Sequence, residues 1–303
     1  MKLNYFISSN QFLVTTICFF GTLSSVVAQS PEKVEFWPDL APGVTVLEPN
    51  VEDPNVPNAP AVKVTTPFLL IQRPENKASD SCVLIIPGGG FNVCFYKNEG
   101  FPPAKYWNER GYTTAILVYR VPRPASGPIY APALQDTQRA IRYLRANAQK
   151  YGFNPDKIGV EGYSAGACLA LLAAANSETQ TYEPIDDLDK IPCNVAFAIP
   201  LYPAYVLNDG ATGPNSNRGD GASLLSDFHF DGHTPPMCLI HGDADIYSSL
   251  GSIEVYKKLR KMDIPCELHI FADAPHGYMF WDDLPNARSW QDRRFAWAKK
   301  MGF

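Results

Sequence analysis

The sequence predicts an α/β protein, organised as a single domain around a mostly parallel central sheet with helices on both faces. Short, continuous apolar runs alternate along the chain with segments of helical pattern. Neither an internal repeat nor an interdomain linker interrupts this alternation. With 303 residues and 46% hydrophobic content, the chain is large enough to bury such a core.

The predicted strands are short runs of consecutive apolar or β-branched residues that end at proline, glycine or a polar turn. Because their apolar residues are consecutive and do not alternate with polar ones, both faces of each strand should be covered, as in a parallel sheet. The runs are Phe68–Ile71, Cys82–Ile86, Thr113–Tyr119, Lys157–Val160, Val195–Leu201, Pro236–Ile240 and Cys266–Phe271.

The predicted helices lie between these runs. Ala131–Tyr151 carries apolar residues at helical spacing, and Gly152 follows in the position where a left-handed residue ends a helix. Ala165–Ala175 is rich in alanine and leucine and should be buried, and a further helix spans Leu250 to Leu259. Tyr202–Thr234 is polar, glycine-rich and without either period, which is typical of a functional or disordered loop.

The N-terminus has the pattern of an export signal. Lys2 is followed by an apolar stretch from Phe12 to Phe20 and by small residues up to Ala28. The apolar run is shorter than the ~20 residues that a spanning helix needs, so stable membrane insertion is not expected. We therefore predict a signal peptide over residues 1–28, an N-terminal extension with the first strands over 29–78, a catalytic domain over 79–303, and a secreted or periplasmic protein.

Charge and cysteine content exclude several classes of partner. A net charge of −5 and a pI near 5.6, with no basic run, argue against nucleic acid. Six of the seven cysteines lie after residue 28, mostly in apolar runs where a thiol behaves as a small hydrophobic group. Their pairing stays open, since the chain is expected to be exported. No spacing of Cys and His suggests zinc, and no metal or cofactor is expected.

Gly162-Tyr163-Ser164-Ala165-Gly166 is the strongest chemical signal. It follows an apolar strand and opens an apolar helix, which is the context of a nucleophile elbow. Glycines flank the serine because a sharp strand-to-helix turn brings backbone atoms too close for a Cβ. Ser164 is the predicted nucleophile.

A serine hydroxyl needs a base, and in this arrangement the acid and then the base follow the serine in the chain. His276 follows the last predicted strand and is the candidate base. His269 lies within that strand, and His229 and His233 lie in the Tyr202–Thr234 loop. His241 is expected to pack at a strand end.

The acid is expected in the loop after Pro236–Ile240, where Asp243 and Asp245 compete. An acidic residue directly after a strand is commonly used in local hydrogen bonds of the turn, which favours Asp245.

The loop Pro87–Phe91 contains three glycines after the Cys82–Ile86 strand. Backbone N–H groups of Gly89 and Gly90, with that of Ala165, could form an oxyanion hole.

These motifs together resemble a known family. Pro87–Phe91, Tyr119-Arg120, Asp136 with Arg139, the Asn154–Val160 run, the elbow, His241–Asp245 and Pro275–Gly277 occur in this order. The set resembles the α/β-hydrolase superfamily, in particular bacterial acetyl xylan esterase-like and feruloyl esterase-like carbohydrate esterases related to hormone-sensitive lipase-type esterases. The resemblance implies a triad of Ser164, Asp245 and His276 and a hole of Gly89, Gly90 and Ala165.

The expected function is a secreted serine esterase that removes acetyl groups from polysaccharides or oligosaccharides. Phe91, Tyr163 and Trp281 are candidate pocket residues, although aromatic residues near a sheet more often belong to the core. Pro87, Cys168 and the run Ile246-Tyr247-Ser248 depart from the residues common in related enzymes at the rim of the pocket, so the resemblance does not define the substrate. The alternatives are a feruloyl esterase, an exopeptidase of the prolyl-oligopeptidase type, and a non-catalytic binding module.

Overall fold

This computed structural model describes residues 30–52, 58–208, 223–278 and 287–303. The strands within these residues are β1 Glu32–Glu35, β2 Val51–Glu52, β3 Ala61–Lys63, β4 Phe68–Gln72, β5 Cys82–Ile86, β6 Thr113–Val118, β7 Ile158–Tyr163, β8 Phe197–Leu201, β9 Met237–Gly242 and β10 Cys266–Phe271. The helices are α1 Phe101–Asn108, α2 Ala131–Ala146, α3 Ala148–Tyr151, α4 Ala165–Ala175, α5 Leu250–Lys261 and α6 Trp290–Lys300.

The main sheet has eight strands in the order β1-β4-β6-β5-β7-β8-β9-β10, and β2 and β3 pair separately. From β6 to β10 all neighbours are parallel, whereas β4 pairs antiparallel with both β1 and β6. The predicted fold class, a mostly parallel α/β sheet in a single domain, is therefore confirmed.

The central strands are buried along their whole length. Every residue of β5, β6, β7, β8 and β9 is buried. Side chains of a strand alternate between the two faces of a sheet, so complete burial means that both faces are covered. The apolar runs in the sequence are continuous because both faces of these strands are buried.

The segment before residue 79 contributes an edge of the same sheet. Strands β1 and β4 lie there, and Trp37 donates from its indole Nε1 to Asp136 Oδ1 at 2.9 Å. Asp136 also pairs with Arg120 at 2.9 Å. The proposed boundary at residue 79 stays a prediction, and the predicted signal peptide lies outside the described residues. No helix in the described part of the chain is long and apolar enough to cross a membrane.

The predicted helices are present, with one interruption. The Ala131–Tyr151 helix breaks at Asn147 into α2 and α3, and Gly152 ends α3 with φ of 77°. Two helices, α1 and α6, were not predicted. The sequence Phe101-Pro102-Pro103 suggests an irregular segment, but proline is tolerated in a first turn because those N–H groups have no intrahelical acceptor.

The loop Tyr202–Thr234 is partly described. Residues 209–222 lie outside the described ranges, but Leu207 forms an isolated antiparallel bridge with Leu224, and both flanks pack on the core.

All six cysteines of the described residues are free thiols, and all except the half-buried Cys266 are buried. The interpretation of these thiols as core residues fits this finding.

A fully buried ion pair ties α6 to β7. Arg294 Nη1 donates to Glu161 Oε1, and to the hydroxyl of Tyr163 at 3.0 Å. Trp107 Nε1 donates to the other oxygen of Glu161 at 2.8 Å. Glu161 is three residues before Ser164, so this pair supports the strand that carries the predicted nucleophile.

Replacing Arg294 with methionine should destabilise the fold by about 3–5 kcal/mol, because it leaves the Glu161 carboxylate buried without a cation. The midpoint of urea unfolding measures the change. The matched control is Arg293→Met on the exposed side of the same helix, where an effect of about 0.5 kcal/mol or less is expected. Equal effects of the two variants would contradict the structural importance of this pair.

Candidate active site

The predicted functional residues meet at the carboxyl edge of the parallel strands. Ser164 directly follows β7, Asp245 follows β9, and His276 follows β10. The glycine loop follows β5, which is the neighbour of β7 in the sheet. Open parallel sheets bind ligands at this edge, and here it gathers residues that are far apart in the sequence.

The turn at Ser164 is strained, and its glycines are sterically required. Ser164 has φ of 54° and ψ of −117° and precedes the first residue of α4. A Cβ on Gly162 would lie 2.2 Å from the carbonyl oxygen of Gly166, and one on Gly166 would lie 2.0 Å from that of Ile86. Such contacts do not occur in folded proteins, so both positions need glycine. This is the geometry that the sequence motif predicted.

A chain of hydrogen bonds joins the three predicted residues. Ser164 Oγ lies 2.7 Å from His276 Nε2. His276 Nδ1 lies 2.9 and 2.8 Å from the two carboxylate oxygens of Asp245. Hydroxyl, imidazole and carboxylate are thus in the order that activates a serine.

Burial distinguishes the two candidate acids. Asp245 is buried and its Oδ1 also accepts from the Tyr247 N–H at 2.7 Å, whereas Asp243 is exposed. Burial alone would raise the pKa of Asp245, but hydrogen bonds with His241 and His276 outweigh it and hold that pKa below the ordinary value. The carboxyl is therefore ionised at neutral pH, as a partner of an imidazolium must be.

The glycine loop lies against the serine. A Cβ on Gly88 would lie 2.9 Å from Ser164 Cβ, and Gly89 and Gly90 have φ of 130° and 62°. Across the described residues, the N–H groups of Gly89 and Gly90 are not used in backbone hydrogen bonds. Ala165 begins α4, and the first N–H groups of a helix have no intrahelical acceptor. Among the described residues, none of these three N–H groups donates to a backbone acceptor.

Three tyrosines surround the imidazole and the glycine loop. The rings of Tyr202 and Tyr247 lie 5.1 and 4.8 Å from the ring of His276. Tyr205 Oη lies 3.2 Å from Tyr247 Oη, and 3.2 Å from the place of a Cβ on Gly90. Tyr202 and Tyr205 both have positive φ, which is costly for a bulky residue and typical of functional sites.

The predicted aromatic pocket residues need correction. Tyr163 has no exposed surface, and its hydroxyl bonds to Glu161 and Arg294 within the core. Phe91 is only 1% exposed, and its ring packs against Tyr205 at 5.6 Å. The structure exposes neither ring to a ligand, because both side chains are almost completely buried. Trp281 lies outside the described residues.

The other histidines lie where the sequence placed them. His241 is buried at the end of β9, with Nδ1 2.8 Å from Ser252 Oγ and Nε2 3.4 Å from Asp245 Oδ2. His269 lies in β10 and bonds to Glu267 at 2.7 Å. His229 and His233 are exposed.

Sequence reasoning missed Glu99, Tyr202 and Tyr205. Glu99 lies in a polar stretch with no motif to mark it, and Tyr202 and Tyr205 belong to a loop without periodicity. Tyr247 was expected at the pocket rim, since it is two residues after Asp245 in the same loop. Tertiary packing alone brings these side chains close to the site.

Comparison with known proteins finds esterases and a xylanase among the relatives of this chain. Residues 69–207 match the family described as BD-FAE. The chain is 24% identical to endo-1,4-beta-xylanase B of Butyrivibrio fibrisolvens, over 80% of this chain and 39% of the relative. It is also 24% identical to an acetylxylan esterase of Xylanibacter ruminicola, over 68% and 42%. The chain therefore spans about two fifths of the length of these relatives.

Solved structures of hydrolases have a similar fold. The acetyl ester-xyloside bifunctional hydrolase from Caldicellulosiruptor lactoaceticus matches with a TM-score of 0.72 and 25% identity, over 92% of this chain and 99% of that one. MGS-M1, an alpha/beta hydrolase enzyme from a deep-sea metagenome, matches with a TM-score of 0.58 and 25% identity, over 78% and 92%. Both likenesses cover more than three quarters of the chain.

Proposed function

We propose that this chain, which belongs to the α/β-hydrolase superfamily and whose relatives include carboxylic ester hydrolases, hydrolyses carboxylic esters through a triad of Ser164, His276 and Asp245. The observation that carries the proposal is the hydrogen-bonded chain from Ser164 Oγ through the imidazole to the Asp245 carboxylate. Its distances are those of direct proton transfer.

In the first half of the reaction, Ser164 Oγ attacks the ester carbonyl carbon while its proton passes to His276 Nε2. Asp245 accepts from Nδ1–H, which fixes the tautomer and stabilises the imidazolium. The resulting alkoxide would be held by the N–H groups of Gly89, Gly90 and Ala165. Collapse releases the alcohol, which takes the proton from His276, and leaves an acyl group on Ser164.

In the second half, water replaces the serine as nucleophile. His276 Nε2 takes a proton from the water, whose oxygen attacks the acyl carbonyl. The same backbone donors hold the second alkoxide, and its collapse returns the proton to Ser164 and frees the acid. The residues named supply every proton transfer in this cycle.

The proposed substrates are acetylated polysaccharides or oligosaccharides. Two relatives, one named as an acetylxylan esterase and one as a xylanase, favour this class of substrate. The hydroxyls of Tyr205 and Tyr247 add local support, because each can donate and accept a hydrogen bond beside the imidazole. Burial raises the pKa of Tyr247, so its hydroxyl stays protonated at neutral pH. Such a pair suits a polyhydroxy alcohol better than an alkyl one.

The test compares four substrates: acetylated xylo-oligosaccharides, feruloylated sugars, p-nitrophenyl acetate and an aminoacyl anilide. We expect acetate release and turnover of the nitrophenyl ester, with no cleavage of the anilide. Tyr247→Phe should lower kcat/KM for the acetylated sugar about fivefold, the value of one neutral hydrogen bond, and lower that for p-nitrophenyl acetate less. Tyr256→Phe, on α5, is the matched control.

The outcomes separate the alternatives. Cleavage of the anilide in preference to esters would favour an exopeptidase, and release of ferulate in preference to acetate would favour a feruloyl esterase. An equal loss on both acetyl esters in Tyr247→Phe would contradict the role of the hydroxyl pair. Absence of turnover with every substrate would favour a binding module.

We also propose that the enzyme acts outside the cytoplasm. The support is the export-signal pattern of residues 1–28, where Ala28 is the expected cleavage position. Polysaccharides are too large to enter a cell intact, so an esterase acting on them is expected to be exported. N-terminal sequencing of the exported protein would give Gln29 as its first residue.

A further inference from the structure

Glu99 is a buried carboxyl beside the site, and the proposed chemistry does not use it. It precedes Gly100, the residue that caps the N-terminus of α1, and is 6% exposed. Among the described residues, no lysine, arginine or histidine forms an ion pair with it. Burying a carboxyl without a cation is costly, and groups of this kind concentrate at functional sites.

Two hydrogen bonds define what Glu99 holds. Its Oε2 accepts from the backbone N–H of Gly88 at 2.5 Å, and its Oε1 accepts from the hydroxyl of Tyr202 at 3.1 Å. Burial raises the pKa of the carboxyl, and these two donors together with the attraction of the nearby His276 offset only part of that effect. Each donor belongs to a different part of the candidate active site.

The Gly88 contact reaches the glycine loop. A Cβ on Gly88 would lie 2.7 Å from Glu99 Oε2 and 2.9 Å from Ser164 Cβ, so carboxyl, loop and serine are packed together without a gap. Gly89 and Gly90 follow with positive φ, and glycine has little preference for one such conformation over another. The shape of the loop must therefore be imposed by its contacts.

Among the described residues, the other hydrogen bonds to this glycine loop are accepted by its carbonyl groups. Tyr119 donates to the Pro87 oxygen at 2.8 Å, and Phe95 N–H donates to the Gly88 oxygen at 3.1 Å. The Gly89 oxygen accepts from Val93 N–H at 3.1 Å. The bond from Gly88 N–H to Glu99 is the contact that orients the donor side of the loop.

The Tyr202 contact reaches the imidazole. The ring of Tyr202 meets that of His276 edge-on at 5.1 Å, with an interplanar angle of 74°. Because Tyr202 has φ of 37°, its placement depends on its surroundings and not on backbone preference. Its bond to Glu99 is one of the interactions that hold it there.

We propose that Glu99 is a positioning residue, which holds Gly88 so that the N–H groups of Gly89 and Gly90 face the developing alkoxide and which holds Tyr202 against His276. This inference rests on the proposed esterase function and deepens it. Glu99 itself touches neither substrate nor the reacting atoms. Its effect is on the transition state and not on substrate binding, so it should change kcat and leave KM nearly constant.

The experiment compares Glu99→Ala and Glu99→Gln in the full-length protein with p-nitrophenyl acetate. Alanine removes both acceptors, and kcat should fall about 100-fold with KM changed less than about threefold, close to the loss of one oxyanion donor. Glutamine should restore kcat to within about fivefold of wild type. Its Oε1 can accept from Gly88 while its Nε2 donates to Tyr202. Glu109→Ala, at the exposed end of α1, is the matched control and should have wild-type kinetics.

A boronic acid provides a second readout. Phenylboronic acid forms a tetrahedral adduct with an active serine and places an oxygen where the alkoxide would be, so its Kd reports the donor geometry. Glu99→Ala should weaken the inhibitor by the factor lost in kcat/KM, and Glu99→Gln should not. A general loss of stability would not produce this parallel.

The outcomes separate this inference from the proposed function. A wild-type enzyme inactive on all esters would overturn the function itself. An active wild type with a folded Glu99→Ala of unchanged kcat, or with Glu99→Gln as poor as Glu99→Ala, would overturn the positioning role alone. If the alanine variant does not fold, Glu99→Gln decides by itself, since a kcat below one tenth of wild type with intact folding contradicts the proposal.

Discussion

Replacing Ser164 with alanine is expected to lower kcat for ester hydrolysis about 10⁶-fold, because the variant lacks the oxygen that forms the acyl intermediate. Oγ is the atom that lies 2.7 Å from His276 Nε2, and alanine removes it while leaving the backbone turn in place. Residual turnover should come from direct attack of water on the bound ester, with the backbone N–H donors stabilising the resulting alkoxide. Initial rates with p-nitrophenyl acetate measure this effect.

A covalent probe supplies the control for this variant. A fluorophosphonate should label the wild-type protein at Ser164 and should leave Ser164→Ala unlabelled, with circular dichroism and Tm unchanged. Ser226→Ala, at an exposed serine, should be labelled and should turn over ester like wild type. Labelling at a different serine, or an active Ser164→Ala protein, would refute the nucleophile assignment.

Replacing Asp245 with asparagine is expected to lower kcat about 10⁴-fold. The amide has nearly the same size, but its NH₂ group cannot accept from His276 Nδ1–H. The imidazole would then turn to the tautomer in which Nε2 carries a proton, and Nε2 could no longer accept from Ser164. The two bonds of 2.9 and 2.8 Å to the carboxylate are what this substitution disturbs.

Asp243→Asn is the matched control, since it makes the same chemical change two residues away in the same loop. Asp243 is exposed, and its variant should keep kcat within about twofold of wild type. The contrast also tests the turn argument that favoured Asp245 from the sequence. If Asp243→Asn were the more damaged of the two, the assignment of the acid would be wrong.

The parallel core could be predicted because it leaves a local pattern in the sequence of each strand. Complete burial of strands such as β5 and β7 requires consecutive apolar residues, and these are visible without a structure. The elbow was visible for a related reason, since Gly162 and Gly166 have contacts that exclude a Cβ. Where a steric requirement determines the residue type, the sequence records it.

Other elements were hidden because tertiary packing replaces the usual signal. Helix α6 buries Arg294 where an amphipathic helix would place an apolar residue, so its pattern is weak. Helix α1 begins with two prolines. Glu99 and Tyr205 come to the site only through folding of loops whose composition is not distinctive, and Tyr163, by position a pocket candidate, is directed into the core by its partners.

The pairing of Glu161 with Arg294 also has a consequence for the order of events during synthesis. The two side chains are 133 positions apart, and the carboxylate is on the strand that leads into Ser164. A nascent chain that has not yet produced α6 would have to bury that carboxylate without its cation, with only the hydrogen bonds from Trp107 and Tyr163 to offset the cost. The nucleophilic turn should therefore become stable only after translation has passed residue 294, and truncated chains should lack a reactive serine.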